Sequence, residues 1–320
     1  MSRQRKEFRM YEKEEFTYLS RDGRTKIRAI AWKPADQSVR AVLQIAHGMV
    51  EHIERYEEFA GYLAEYGIVT VGNDHLGHGK SVASTEDWGF FAEEEGNRAV
   101  IQDMHTLRKK MILEYPQVPY FLLGHSMGSF LARQYLCSYG AELKGAIISG
   151  TGWHSRMESW AGMALTKVMA GIFGWHYRSV LIDRMAFGGY NRWLKNPRTE
   201  KDWLSKEEAE VDRYLADPAC TFRFTLNGYY NMFAGLYKIA SPEYVAHMPK
   251  DLPVLFMAGE DDPVGDFGKG VKKAADSMKK AGVTDISLKL YEKDRHEILK
   301  ETDRETVFQD IYRWIEAHMA

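Results

Sequence analysis

The chain has 320 residues, 45% of them hydrophobic and 28% charged, enough for one large domain or for a core that carries an insertion. Its 43 basic and 45 acidic residues are intermingled and leave a net charge of −2, so the basic field that DNA or RNA binding needs is absent. Two cysteines, Cys137 and Cys220, in neither CxxC nor metal-type spacing, exclude a disulfide framework.

Segments Phe16 to Leu19 and Ile27 to Trp32 flank the turn Arg21-Asp22-Gly23 and predict an opening hairpin. The N-terminal run MSRQRKEFRMYEKEE has no apolar signal-peptide core, and no stretch approaches the roughly 18 apolar residues of a membrane span, so a cytoplasmic protein is expected. Val42 to Ala46 then reads as a strand, Tyr56 to Tyr66 as a helix and Ile68 to Gly72 as a strand. Val100, Met104, Leu107 and Met111 mark one helix face. Phe121 to Leu123 and Gly145 to Ser149 are further strands, with a helix between them.

From 151 to 225 the strand rhythm stops, and large apolar residues such as Trp153, Trp160, Phe173 and Trp193 accumulate. Ser205-Lys206-Glu207-Glu208 is expected to open a helix there as a capping box. The alternation resumes with Val254 to Ala258, the helix face Val271, Ala274, Ala275 and Met278, the strand Ile286 to Tyr291 and a closing helix through Val307, Ile311, Trp314 and Ile315. The expected fold is therefore α/β, a mostly parallel sheet flanked by helices, with a core of 1–150 and 226–320 and a helical cap of 151–225.

Gly124-His125-Ser126-Met127-Gly128 ends one of the buried strands and opens a helix, the setting of a nucleophile elbow. An alcohol is a weak nucleophile at neutral pH, so Ser126 needs a base and the base needs an orienting carboxylate, in the chain order Ser, acid, His. Of eleven histidines, only His296 and His318 follow the insertion and a candidate acid, and His318 sits two residues from the chain end. His296 is the expected base. Glu260, Asp261, Asp262 and Asp266 all follow the strand at 254 to 258; Asp262, fixed by Pro263, is preferred to Asp261 and Asp266. Backbone N–H groups of Met127 and Met49 are the expected oxyanion donors. Trp153, Met157, Trp160 and Phe173 are candidates to line an acyl channel. His47, His75 and His78 read as structural loop histidines, and no metal or cofactor is expected.

These residues resemble the monoacylglycerol lipase and lysophospholipase group of the α/β-hydrolases, the serine aminopeptidase S33 or hydrolase-4 family. The resemblance rests on His47-Gly48-Met49-Val50-Glu51-His52 with Arg55-Tyr56, on Asp74-His75-Leu76-Gly77-His78-Gly79-Lys80-Ser81, on the elbow, on Gly259 with Asp262 and on His296-Glu297. It implies the triad Ser126, Asp262 and His296, oxyanion donors at Met49 and Met127, and the fold of an α/β-hydrolase with a cap. Ser129 and Lys300 depart from the common pattern, which has Gly and Asn there, and Leu76 stands where many bacterial members have Arg. The expected activity is hydrolysis of a small acyl ester, a monoacylglycerol or a lysophospholipid, through an acyl-enzyme. A short-chain esterase, a thioesterase or an aminopeptidase with the same triad is the alternative, and a non-catalytic binding protein is the rival of another class. Peripheral membrane contact through the cap is a further expectation, and the sequence leaves the oligomeric state open.

Overall fold

The computed structural model describes residues 11–35 and 38–320, so the N-terminal run before Tyr11 lies outside the described residues. An antiparallel hairpin, β1 (Tyr11–Leu19) and β2 (Lys26–Pro34), leads into β3 (Ala41–Ala46), α1 (Glu57–Ala64), β4 (Ile68–Asn73), α2 (Gly96–Glu114), β5 (Tyr120–His125), α3 (Met127–Tyr139) and β6 (Gly145–Ser149). Five helices follow without a strand: α4 (Arg156–Phe173), α5 (Val180–Phe187), α6 (Glu208–Ala216), α7 (Leu226–Ile239) and the short α8 (Pro242–Val245). The chain then closes with β7 (Val254–Gly259), α9 (Lys269–Lys280), β8 (Ile286–Tyr291) and α10 (Arg304–Ala317).

The eight strands form one sheet in the order β1-β2-β4-β3-β5-β6-β7-β8, parallel from β4 to β8. Every residue of β3, β4, β5, β6 and β7 is buried, as strands covered on both faces require, and this is why they read as continuous apolar runs. The edge strands β1 and β8 alternate in burial instead. One face is covered by α1 and α10, whose Phe59 and Phe308 rings meet at 5.0 Å. On the other face, apolar residues of α2, α3 and α9 share a second core.

Strand order reverses at β3: the chain goes outward to β4 and returns to place β5 on the other side. Crevices at the carboxyl ends of strands around such a reversal are where open α/β sheets bind ligands. Here the segments following β3, β5, β7 and β8 carry the candidate chemistry.

The capping box expected at Ser205 is not formed. Helix α6 begins only at Glu208, with no side-chain cap, while Ser205 Oγ accepts from the Glu207 N–H at 2.9 Å and donates to the Lys300 carbonyl at 2.9 Å. Tertiary contact with the segment after β8 has taken the hydroxyl. A capping box does open α4, where Ser155 and Glu158 satisfy each other's backbone N–H groups.

Candidate active site

Ser126 has φ 53° and ψ −121°, a conformation costly for a residue with a side chain, between the last residue of β5 and the first of α3. Both flanking glycines are demanded by contact. A Cβ on Gly124 would lie 2.3 Å from the Gly128 carbonyl oxygen, and one on Gly128 would lie 1.9 Å from the carbonyl oxygen of Ala46 in β3. Helix α3 therefore crosses the end of the sheet at a distance that only hydrogen allows. Gly128→Ala is expected to cost about 3 kcal/mol, the upper end for overpacking, read as a lowered unfolding midpoint in a denaturant titration.

Strand β3 pairs with β5 such that Ala46 is opposite Gly124, which puts the loop after β3 beside the serine. A Cβ on Gly48 would approach Ser126 Cβ at 3.1 Å. His47 fixes this loop: its Nε2 accepts from the His75 N–H at 2.8 Å, so Nδ1 carries the proton and donates to the Gly48 carbonyl at 2.7 Å. In a trans peptide the Met49 N–H points opposite to that carbonyl. Neither Met49 N–H nor Met127 N–H has a protein acceptor among the described residues. Both remain available as donors.

His47, His75 and His78 form a buried cluster, with His47 ring centroids 4.1 and 5.2 Å from the other two. Burial pushes all three down, His75 to about 3 and His78 to about 4, with His47 pushed further by its two neighbours. They are neutral buttresses of the loop. His125 is likewise buried and pushed down to about 4, by desolvation and then by the neighbouring His296.

The segment after β7 delivers Asp262, and the segment after β8 delivers His296; they are 0% and 2% exposed. His296 Nδ1 donates to Asp262 Oδ2 at 2.9 Å, and Asp262 Oδ1 accepts from the Val264 N–H at 2.8 Å. Of the other acidic residues here, Glu260 and Asp266 are exposed and Asp261 is half-buried. His296 Nε2 is buried without a hydrogen-bond partner among the described residues. His296 and Ser126 line one cavity of about 250 Å³, together with Gly48, Met49, Phe187, Trp203, Tyr214 and Phe222 among others. Burial alone would lower the His296 pKa, but the Asp262 carboxylate, helped by Glu297 and Glu51, holds it above the ordinary 6.5.

An ion network that sequence reasoning missed connects the two loops. Glu51 Oε1 accepts from the Gly48 N–H and, at 2.9 Å, from the Tyr56 hydroxyl, while Oε2 accepts from Arg55 Nη1 at 2.7 Å. Arg55 in turn grips both oxygens of Glu297, the residue after His296, at 2.6 and 2.7 Å. Burial opposes ionisation of Glu297, yet Arg55 keeps its carboxyl below the usual range. A sequence signal existed, since Glu51, Arg55 and Glu297 all belong to the motifs singled out, but only folding joins residues 242 positions apart. A base must be neutral to work, so the raised His296 pKa moves the loss of activity on acidification to higher pH. Glu297→Gln is expected to lower the acid-limb pKa of kcat/KM against pH, and to destabilise by about 3 kcal/mol because Arg55 loses a buried partner. An acid limb at the wild-type position would show that Glu297 does not act on the histidine.

The four residues expected to line an acyl channel are elsewhere. Trp153 lines a separate groove with Ile239, Pro242 and Lys273, and Arg133 stacks on its ring at 5.9 Å. Met157 and Trp160 of α4 are 77% and 61% exposed, and Phe173 is exposed at the end of the same helix. None of the four lines the cavity over Ser126. Their apolar character gave no direction, because the α4 face that packs on α7 is made by other residues, such as Ser159, Thr166 and Ala170.

The sequence profile of the family described as serine aminopeptidase, S33, matches residues 37–303. The chain is 27% identical to the monoglyceride lipase of Rattus norvegicus over 296 residues, 90% of this chain and 86% of that one. It is 25% identical to the monoacylglycerol lipase of Mycolicibacterium smegmatis over 291 residues, 90% of this chain and 92% of that one. Among solved structures, a thermostable carboxyl esterase from Bacillus coagulans superposes with a TM-score of 0.89 at 28% identity, covering 96% of this chain and 99% of the other.

Proposed function

The chain belongs to the serine aminopeptidase S33 family, and from that premise we propose how its own residues cleave an ester. It has the α/β-hydrolase fold and is a serine ester hydrolase of the monoglyceride-lipase type. Its substrate is a small-molecule ester. In the proposed cycle, Ser126 Oγ gives its proton to His296 Nε2 and attacks the ester carbonyl. The N–H groups of Met49 and Met127 hold the oxyanion, and His296 then protonates the departing alcohol. A water repeats the sequence on the acyl-enzyme. Asp262 keeps Nδ1 protonated and stabilises the imidazolium without taking the proton. The scheme draws on these groups and water alone.

The observation that carries this reading is the His296–Asp262 hydrogen bond, with an unpartnered Nε2 in the same cavity as a strained serine at a strand end. Residues 151–225 are read as a cap because Phe187, Trp203, Leu204, Tyr214 and Phe222 form one wall of that cavity. A volume of about 250 Å³ falls just below the roughly 300–1,000 Å³ of common small-molecule pockets and favours one slender acyl chain over two. The same small volume supports a second reading, a short-chain carboxylesterase.

A panel of monoacylglycerols, lysophospholipids and simple esters of rising chain length separates these readings. Medium-chain monoacylglycerol turnover is expected; an optimum at acetyl esters without monoacylglycerol turnover selects the short-chain reading. Thioester and aminoacyl-amide arms of the panel test the remaining alternatives.

No helix of the described residues is long and apolar enough to cross a membrane. Met157, Trp160, Val168 and Ile172 on α4, with Leu181 and Met185 on α5, are exposed apolar residues, and they support peripheral contact of the cap with a lipid surface. Vesicle co-sedimentation that is unchanged by Trp160→Ser combined with Ile172→Ser would remove that contact from the proposal.

A further inference from the structure

Charged groups lining the cavity over Ser126 are already committed, with Glu200 and Lys201 the exceptions. Glu51 and Glu297 are held by Arg55. Asp183 accepts from the Tyr229 hydroxyl at 2.9 Å and faces Arg223 Nε at 3.5 Å, and Glu200 is exposed at the rim. Lys201 is the one lysine or arginine among the lining residues. Among the described residues, its ammonium group has no carboxylate within 4.0 Å and no hydrogen-bond acceptor; what it faces is the Phe187 ring at 5.8 Å and the Tyr214 ring at 6.0 Å.

The backbone that carries Lys201 is held in place by its surroundings. Lys201 N–H donates to Thr199 Oγ1 at 3.1 Å, and Arg198 N–H and Thr199 Oγ1 both bond the Asp202 carboxylate. Two residues on, the Trp203 and Leu204 carbonyls accept from the N–H groups of His296 and Glu297 at 3.4 and 2.7 Å. The segment bearing Lys201 is thereby pinned to the loop that bears the base. An ammonium has three donors, and this half-buried one, with no acceptor among the described residues, can turn them to a group brought into the cavity. Desolvation lowers the Lys201 pKa, and Asp183 and Glu200 oppose that from a distance.

We propose that Lys201 reads an anionic group on the substrate, so that the preferred ester carries a phosphate or carboxylate within reach of the cavity. The proposal rests on the ester-hydrolase reading above and narrows it. A charge-assisted hydrogen bond inside a cavity is roughly twice as strong as a neutral one, which gives the discrimination its source. The anion has two chemical sources: the alcohol side, as in a glycerol phosphate ester, or the acyl side, as in a dicarboxylic half-ester.

The test measures kcat/KM for three esters matched in chain length: octanoylglycerol, octanoylglycerol phosphate and the glycerol half-ester of a dicarboxylic acid. In wild type, one anionic ester should exceed the neutral one by about tenfold or more, corresponding to about 1.4 kcal/mol. Which of the two anionic esters gains identifies the side. The ratio should collapse toward unity in Lys201→Met, be retained in Lys201→Arg and decline with rising ionic strength. Because the ratio compares two substrates on one preparation, partial unfolding of a variant cancels. A wild-type ratio near one, or a ratio unmoved by Lys201→Met, overturns the proposal. If none of the three esters is hydrolysed and Ser126 resists a fluorophosphonate, the ester-hydrolase reading fails instead.

Discussion

Ser126→Ala is expected to lower kcat roughly a million-fold, to the level of the binding site and oxyanion donors acting alone, and to abolish labelling by a fluorophosphonate. The substitution removes one oxygen from a residue whose backbone is set by its neighbours: Gly124, Gly128 and the hydrogen bond from Ser126 N–H to the Ser149 carbonyl at 3.0 Å. The elbow should therefore persist, and circular dichroism and the unfolding midpoint should match wild type. A variant that folds normally yet retains more than a small fraction of wild-type turnover would mean that another nucleophile carries the reaction.

Asp262→Asn should lower kcat by about four orders of magnitude. Asp262 is fully buried, with Oδ2 on His296 Nδ1 and Oδ1 on the Val264 N–H. An Asn that keeps its oxygen on Val264 turns an NH₂ toward Nδ1. The imidazole must then present a lone pair there, and Nε2 acquires the proton that it should be accepting. The charge lost is also the largest of those that raise the His296 pKa against burial, so any residual activity should persist to lower pH than in wild type. Nearly full activity in Asp262→Asn would point to Asp261 or Asp266 as the acid, although neither is buried.

Much of the sheet was legible because burial on both faces writes itself into the sequence as continuous apolar runs. Gly145 to Ser149 matches β6 residue for residue on that ground, while Ile286 to Tyr291 matches the edge strand β8 through its alternation, and the opening hairpin only gains length at its ends. The elbow was legible for a different reason. Its glycines are required by contacts within the motif and to β3, so the string carries its own geometry.

Position within the insertion was not legible. Ser205 had the right residues for a capping box, but its hydroxyl found the Lys300 carbonyl, 95 residues away. Trp160 and Phe173 have the character of channel residues and yet face outward, while Phe187, Trp203 and Tyr214, no more apolar by composition, face the serine. Helix periodicity says which residues share a face; it does not say whether that face meets core, cavity or solvent. The pairing of Glu51, Arg55 and Glu297 and the unpaired state of Lys201 were not legible for a related reason. Whether a charge has a partner depends on distances set by the whole fold.

An acyl-enzyme on Ser126 is the intermediate on which the proposed cycle depends, and trapping it tests that cycle at its core. Wild-type protein mixed with an activated ester, quenched in acid within the first turnover and analysed by intact and peptide mass spectrometry should carry one acyl group on the peptide containing Ser126, absent from Ser126→Ala. Turnover with no acylated peptide at any quench time, or with the acyl group on another residue, would contradict the account.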